Sequence, residues 1–116
     1  MKIALDILGG FIALAITFSA FGKITRNPGA TEPLAHVGVK ESQYNQLALL
    51  EILGALGLLV GIWSKPIGVA ASTGIALYFI GAQTAHIRVK DSFKAFAPAT
   101  FLFLVSAAVL ILELKR

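Results

Sequence analysis

The chain has 116 residues, of which 57% are hydrophobic and 14% are charged. A soluble domain of this size carries about 25% charged residues, so the composition indicates one membrane domain over residues 1–116. The net charge is +4, but the basic residues lie mostly at the ends of apolar segments, as lipid-facing cations do, so nucleic acid is not indicated as a partner. Because the chain has no cysteine, disulfides, iron–sulfur clusters and thiol relays within it are excluded.

Four apolar segments follow one another along the chain. About 20 helical residues cross a hydrocarbon core of about 30 Å, so each segment is long enough for one crossing. The short second and third connections predict antiparallel neighbours, and the fold class is therefore all-α, a bundle of four antiparallel transmembrane helices in a multi-pass protein of the cell membrane. The predicted helices cover residues 3–22, 46–63, 66–86 and 95–113, with a polar loop over 24–45.

The first segment follows Lys2, as the apolar part of a signal peptide follows a basic residue. The residues at 19–22, Ser-Ala-Phe-Gly, match a cleavage site poorly, so we expect a retained helix. Six basic residues lie at the end of the bundle that holds the 24–45 loop, and four lie at the other end. Without Lys23 and Arg88, which could belong to a polar site, the numbers are equal and the positive-inside rule assigns no orientation.

Small residues recur at helical spacing in three of the segments. Lipid gives little hydrophobic drive between helices, so such residues predict close packing of backbones within the bundle, with homo-oligomer formation as the alternative. The positions are Gly9, Ala13 and Thr17 in the first helix, Gly54, Gly57 and Gly61 in the second, and Gly74 and Ala82, on either side of Tyr78, in the third.

Five polar residues are predicted to meet at one end of the bundle. Lys23 closes the first segment, Glu51 lies inside the second, and Gln83, His86 and Arg88 close the third. Successive helices run in opposite directions, so all five belong to the same side of the membrane. Ionisable groups inside a membrane are costly and mark functional sites by default. These residues form the candidate polar cluster of the protein.

Glu51 is predicted to lie roughly 8 Å below the membrane boundary, five residues into its helix. A carboxylate at that depth needs a proton or a neighbouring cation. The candidate cations on the same side of the membrane are Lys23, His86 and Arg88. One interpretation is a structural ion pair that fixes the helix register. The other is a ligand-binding or proton-handling pocket, to which Gln83 and His86 contribute from one face of their helix.

Other kinds of site are poorly matched by the sequence. Glu51, His86 and His36 are the only plausible metal ligands and lack metal-site spacing, so no metal is predicted. Haem, phosphate-loop and Ser/His/Asp arrangements are not recognisable, so no intrinsic cofactor is predicted and no catalytic residue can be assigned. Asp6 and Glu113 belong to the opposite end and are interpreted as solvated interfacial charges.

The chain resembles the DoxX-like family of small four-helix membrane proteins over about residues 5–112. Three motifs carry the resemblance: Phe-Ser-Ala-Phe-Gly-Lys at 18–23, Leu-Glu-Ile-Leu-Gly-Ala-Leu-Gly-Leu-Leu-Val-Gly at 50–61, and Gly-Ala-Gln-Thr-Ala-His-Ile-Arg at 81–88, with Pro98 beyond them. The resemblance implies the four-helix fold. It also implies roles that differ between members: a subunit of a thiosulfate–quinone oxidoreductase, a membrane complex for oxidative or thiol stress, or a chaperone for other membrane proteins.

Three hypotheses about function follow. The first is an accessory or redox-linked membrane subunit whose polar cluster, with Tyr78 as a secondary residue, binds a quinone-like or lipid-like ligand or docks a redox partner. The second is a non-enzymatic assembly or chaperone-type subunit in which the cluster only locks the bundle. The third is a small proton-coupled exporter, although the carboxylate lies in the second helix and such exporters carry it in the first. The sequence leaves open whether the protein is an enzyme.

Overall fold

The computed structural model describes residues 2–116, and these residues form helices and connecting turns without a β-strand. Five α-helices follow in chain order: α1 (Lys2–Ile24), α2 (Pro28–His36), α3 (Tyr44–Val60), α4 (Lys65–Arg88) and α5 (Phe93–Leu114), with a 3-10 turn at Glu41–Gln43 before α3. The four long helices, with α3 counted together with the 3-10 turn before it, are each long and apolar enough to cross a membrane. The predicted all-α fold with four membrane-spanning helices is confirmed.

The long helices form a ring of neighbours. Helix α1 packs against α3 and α5, and α4 packs against the same two helices. Consecutive spanning helices run in opposite directions, which gives the antiparallel arrangement expected from the short connections. Inside the ring lies an apolar core, while large apolar side chains such as Phe18, which is 79% exposed, cover the outside. The core includes Ile12, Ile16, Ala55, Ile75, Phe79 and Val109.

Glycines set the close approach of α3 to α4. A Cβ atom added to Gly57 would lie 2.8 Å from the Cβ of Ala71, and one added to Gly61 would lie 2.6 Å from the Cα of Gly68. The predicted packing face of α3 is therefore the one that contacts α4. The prediction of close packing is wrong at Gly9 and Gly74, because a Cβ atom added to either glycine would meet nothing within 4 Å.

The segment predicted as a loop over 24–45 contains a helix. Asn27 caps α2, since its Oδ1 accepts a hydrogen bond of 2.9 Å from the backbone N–H of Gly29, and Pro28 occupies the first helical turn. The Asn-Pro-Gly sequence that ends α1 therefore also begins α2. At the other side of the bundle, α3 ends at Val60 rather than residue 63, so that Trp63 lies in the following turn.

Two spanning helices end at the same side of the bundle with Schellman motifs. At the end of α1, Arg26 has φ 58°, and the backbone N–H of Asn27 donates to the carbonyl of Gly22. At the end of α4, Lys90 has φ 59°, and the N–H of Asp91 donates to the carbonyl of His86. These motifs turn the chain sharply and fix the residues that follow each helix.

Candidate functional site

A buried ion pair joins α1 to α3. Lys23 Nζ lies 2.8 Å from Glu51 Oε1, and the two side chains are only 8% and 2% exposed. Lys23 Nζ also donates a 2.7 Å hydrogen bond to Ser19 Oγ, one turn earlier on α1. Of the three cations that the sequence offered to Glu51, the structure selects Lys23. Because both charges are paired and hydrogen-bonded, the cost of burying them is offset.

Glu51 also faces a groove between α3 and α4. The groove has a volume of about 700 Å³, and almost all of its lining is apolar. Glu51 and Tyr78 are its only residues with ionisable side chains, and both lie on the part nearer to Lys23 and the end of α4. The remainder of the groove runs along Leu53, Gly57, Pro66, Ile67, Ala70, Ala71 and Gly74, towards the opposite end of the bundle. The structure thus places the predicted secondary residue, Tyr78, in the same groove as Glu51.

Gln83 connects α4 to α5. Its Nε2 donates to the carbonyl of Phe79 at 3.2 Å, and its Oε1 accepts a 2.9 Å hydrogen bond from Thr100 Oγ1. Both ends of the amide are therefore engaged inside the bundle. Gln83 does not line the groove that contains Glu51.

His86 belongs to a second polar group, which we call the His–Asp clasp and which consists of His36, His86 and Asp91. His86 Nδ1 lies 2.7 Å from Asp91 Oδ2, and His36 Nε2 lies 2.6 Å from Asp91 Oδ1. The ring of His86 also stacks on Phe96, with centroids 5.9 Å apart. One carboxylate thereby ties α2 to the connection between α4 and α5.

The Schellman motif at the C-terminal end of α4 determines the position of Asp91. Asp91 is the residue after Lys90 in the Schellman motif, so its backbone N–H bonds the carbonyl of His86 while its carboxylate bonds the His86 ring. The hydrogen bond from His86, reinforced by His36, holds the pKa of Asp91 below its ordinary value. Asp91 is therefore ionised in the clasp at neutral pH.

The predicted five-residue cluster is divided by the tertiary structure. Lys23 and Glu51 pair with each other, while His86 is bound to Asp91 and not to Glu51. Arg88 is exposed and takes part in no ion pair within residues 2–116. All these residues lie at the end of the bundle where α1 and α4 terminate, but they do not form one pocket.

Sequence reasoning missed Asp91 and Ser19, and it considered His36 only as a metal ligand, which it rejected. Ser19 lies four residues before Lys23, so the two side chains share one helix face, and this spacing could have indicated their hydrogen bond. Asp91 follows an apolar helix by three residues, a spacing that carries no signal without the left-handed conformation of Lys90. The partnership of His36 and Asp91 spans 55 residues and depends on where α2 lies.

Glu113, interpreted from the sequence as a solvated charge, is instead buried and only 3% exposed. Its Oε2 accepts a 2.9 Å hydrogen bond from Arg116 Nη1, and a Cβ added to Gly68 would lie 2.5 Å from its carboxyl carbon. Arg116 Nη2 also donates to the carbonyl of Ile62 at 2.8 Å. The correction has a simple cause: Gly68 leaves room for the carboxylate between α4 and α5. Asp6 is 42% exposed and pairs with Lys2 at 3.4 Å, as an interfacial charge does.

Residues 2–116 contain no group of three His, Asp or Glu side chains arranged to hold a metal ion. In the His–Asp clasp, the two imidazoles bond opposite oxygens of one carboxylate. What the arrangement offers chemically is a buried Lys–Glu pair at the head of an apolar groove and a separate hydrogen-bonded clasp at the membrane edge.

The sequence model of the DoxX-like family matches residues 7–109, nearly the whole chain. No curated protein and no solved structure matches the chain.

Proposed function

The chain belongs to the DoxX-like family and is a multi-pass integral membrane protein in contact with lipid, and from this premise we propose that it is an accessory or redox-linked subunit of the cell membrane. In this proposal, the groove between α3 and α4 binds the head of a quinone-like or lipid-like ligand. The observation that carries it is the position of Glu51 and Tyr78 in an otherwise apolar cavity.

The size and lining of the groove support a ligand of this kind. Small-molecule sites occupy about 300–1,000 Å³ and combine apolar walls with a few polar groups, and the groove has about 700 Å³. Leu50, Leu53 and Leu77 line it and are each more than half exposed on the outer surface of the bundle. A ligand dissolved in the bilayer can therefore enter from the side, without crossing water.

The depth of the polar groups favours a neutral head. Glu51 lies seven residues after the start of α3, and Tyr78 lies ten residues before the end of α4. At helical rise these positions are about 10 Å and about 15 Å from the helix ends. A charged phosphate at that depth would be costly. A carbonyl or hydroxyl head is tolerated if it is hydrogen-bonded there.

The residues of the groove have complementary roles in this proposal. The phenol of Tyr78 donates a hydrogen bond to a ligand carbonyl, and a Glu51 oxygen accepts one from a ligand hydroxyl. Lys23 acts from behind Glu51, where its ammonium holds the carboxylate in place. A bound quinone would supply two-electron, two-proton carrier chemistry. Because the chain has no cysteine, any thiol chemistry belongs to a partner protein.

A pair of glycine variants tests the groove. A Cβ at Gly74 or Gly81 meets nothing within 4 Å, and both residues lie on α4, but only Gly74 lines the groove. Gly74→Leu should therefore fill the groove without disturbing the bundle, and Gly81→Leu is its matched control. The measurement is binding of a quinone with a ten-carbon tail, and of the corresponding fatty alcohol, to the protein in nanodiscs.

We expect the wild type and Gly81→Leu to bind one of the two probes with equal affinity, and Gly74→Leu to bind it at least about tenfold more weakly, as loss of about 1.4 kcal/mol of contact implies. Equal binding by all three proteins, or no binding of either probe by the wild type, contradicts the proposal.

A specific observation also supports the second candidate, a non-enzymatic assembly or chaperone-type subunit. The Lys23–Glu51 pair is closed within the bundle, with Ser19 as a third partner, so it can act solely as a lock between α1 and α3. This candidate predicts a membrane protein that copurifies with the wild type and is lost with Glu51→Gln, while the groove variant Gly74→Leu retains it. The structure adds no support to the exporter hypothesis. A proton-coupled exporter needs a carboxylate that exchanges protons, whereas Glu51 is ion-paired with Lys23.

A further inference from the structure

The two ends of the bundle carry the same formal net charge, but they differ in how their unpaired cations are distributed. At the end where α1 and α4 terminate, Lys23 pairs with Glu51 and Arg26 pairs with Glu41. Four exposed cations at this end have no ion pair within residues 2–116, and they are Lys40, Arg88, Lys90 and Lys94; the exposed carboxylate of Glu32, on α2, has none either. At the other end, Lys2 and Arg116 are paired, which leaves Lys65 and Lys115 without an ion pair within residues 2–116. Lys65 donates a hydrogen bond to the backbone oxygen of Arg116.

Three of these cations lie in one connection. Arg88 ends α4, Lys90 occupies the left-handed position of the Schellman motif, and Lys94 lies in the first turn of α5. Asp91 is the only carboxylate between them in sequence, and its two oxygens accept hydrogen bonds from His36 and His86, the histidines of the clasp. The carboxylate is turned towards the two histidines and only 12% exposed, so it does not pair with its basic neighbours.

Large apolar side chains alternate with these cations. Ile87 is 61% exposed, Val89 is 40% exposed and Phe93 is 63% exposed. Such a surface would be unfavourable in water. At a membrane boundary, however, the apolar side chains lie among acyl chains while the lysine and arginine heads reach the phosphates.

We propose that the connection between α4 and α5, with Arg88, Lys90 and Lys94, is a binding site for the head group of an anionic phospholipid. The site is independent of the groove between α3 and α4 and of any ligand there. Three cations attract an anionic lipid over a zwitterionic one, and the exposed Ile87, Val89 and Phe93 contact its chains. The mixed surface favours a lipid over an acidic soluble protein, which would leave those apolar side chains in water.

The His–Asp clasp gives the site its shape. By holding the Asp91 carboxylate against His86 and His36, it keeps the one carboxylate of this connection from pairing with the three cations, which stay available to a phosphate. The clasp therefore acts as a positioning element, and Arg88, Lys90 and Lys94 are the groups that contact the lipid.

The experiment compares lipid retention by the purified protein. Wild type, the triple variant Arg88→Gln/Lys90→Gln/Lys94→Gln and the control Lys65→Gln/Lys115→Gln are each incubated with mixed vesicles of phosphatidylglycerol and phosphatidylcholine. The lipid that stays bound after detergent extraction is then counted by native mass spectrometry. A basic residue near an anionic surface is worth about fivefold in affinity, so the triple variant should lose on the order of 100-fold in its preference for phosphatidylglycerol. The control pair should behave as the wild type.

Each alternative has a distinct outcome. Equal preference for phosphatidylglycerol in the wild type and the triple variant overturns the proposal, as does an equal loss in the control pair. Competition by inorganic phosphate or glycerol phosphate at the same concentration as the lipid would show a free-anion site instead. A thermal scan in phosphatidylcholine nanodiscs checks the fold of the triple variant, and if it unfolds early, Lys90→Gln alone should still lose about fivefold in preference. An unchanged preference in that single variant also overturns the proposal.

Discussion

Lys23 and Glu51 lie 28 positions apart in the chain, yet their side chains meet at 2.8 Å in the interior of the bundle. The contact fixes the end of α1 against the second turn of α3. It also decides the chemistry of Glu51, which faces a cation on one side and the groove between α3 and α4 on the other. A single carboxylate therefore links the stability of the fold to the candidate ligand site.

Removing the charge of Glu51 should destabilise the protein strongly. In Glu51→Gln the Lys23 ammonium stays buried without a counter-charge, and breaking such a pair costs about 3–5 kcal/mol. The free energy of unfolding, measured by denaturation in mixed detergent micelles, reports the loss. The control is Glu41→Gln, whose partner Arg26 lies 3.4 Å away at the surface, where the cost should stay below about 1 kcal/mol.

The double variant Lys23→Met/Glu51→Leu should recover most of the stability lost in Glu51→Gln, because a buried ion pair can be replaced by apolar side chains of similar volume. If the groove binds a ligand through Glu51, the same variant should bind the quinone or fatty alcohol probe poorly despite its stable fold. A stable double variant that binds the probe as the wild type does would assign the pair a purely structural role.

Gly68 should tolerate no side chain. In Gly68→Ala the added Cβ would lie 2.5 Å from the carboxyl carbon of Glu113, so that the carboxylate must move away from Arg116. We expect a loss of about 1–3 kcal/mol in unfolding free energy, as for other overpacked sites. Gly81→Ala on the same helix meets nothing within 4 Å and should instead gain about 0.5–1 kcal/mol from the helix preference of alanine. Equal effects of the two substitutions would argue against the close contact.

Lys90→Gly should stabilise the protein by about 1 kcal/mol. Lys90 has φ 59°, and this left-handed backbone conformation is unfavourable for a residue with a Cβ atom but not for glycine. The thermal midpoint in an uncharged detergent measures this gain apart from any lipid effect. Lys115→Gly is the control, since Lys115 has φ −92° and also follows a spanning helix, and it should show no gain. A lower midpoint for Lys90→Gly would mean that the side chain contributes more than its backbone costs.

The His–Asp clasp should give the protein a pH-dependent stability in the acid range. Hydrogen bonds from His86 and His36 lower the pKa of Asp91, so its contribution to stability is complete above the ordinary aspartate value of about 3.9. That contribution is lost as the pH falls through the lowered pKa. Asp91→Asn should therefore have a lower thermal midpoint than the wild type at pH 7, and the difference should shrink below about pH 4.

Glu32→Gln is the control for this pH profile, because Glu32 lies exposed on α2 and has no ion pair within residues 2–116. Its midpoint should follow that of the wild type at both pH values. A gap between Asp91→Asn and the wild type that stays constant down to pH 3 would show that the ionised carboxylate is not what stabilises the clasp.

The sequence by itself determined the four spanning helices and the end of the bundle at which Lys23, Glu51 and His86 lie. These features follow from the length of each apolar segment and from the alternation of direction, which are local or topological properties. The same reasoning identified Glu51 as a group that needs a cation, since the cost of an unpaired charge in hydrocarbon does not depend on detail. The DoxX-like resemblance is confirmed over nearly the whole chain.

Only the tertiary structure decided which cation Glu51 receives and that His86 turns to Asp91 instead. Those partnerships depend on helix rotation, on the left-handed turn at Lys90 and on the path of α2, which places His36 beside a residue 55 positions away. Glu113 shows the same limit at the other end. Its burial depends on the space left by Gly68, which lies on a different helix and carries no sign of its partner in the sequence. The charge of a residue and the length of an apolar segment can be read directly from the sequence, whereas a contact between helices depends on how two folded surfaces fit together.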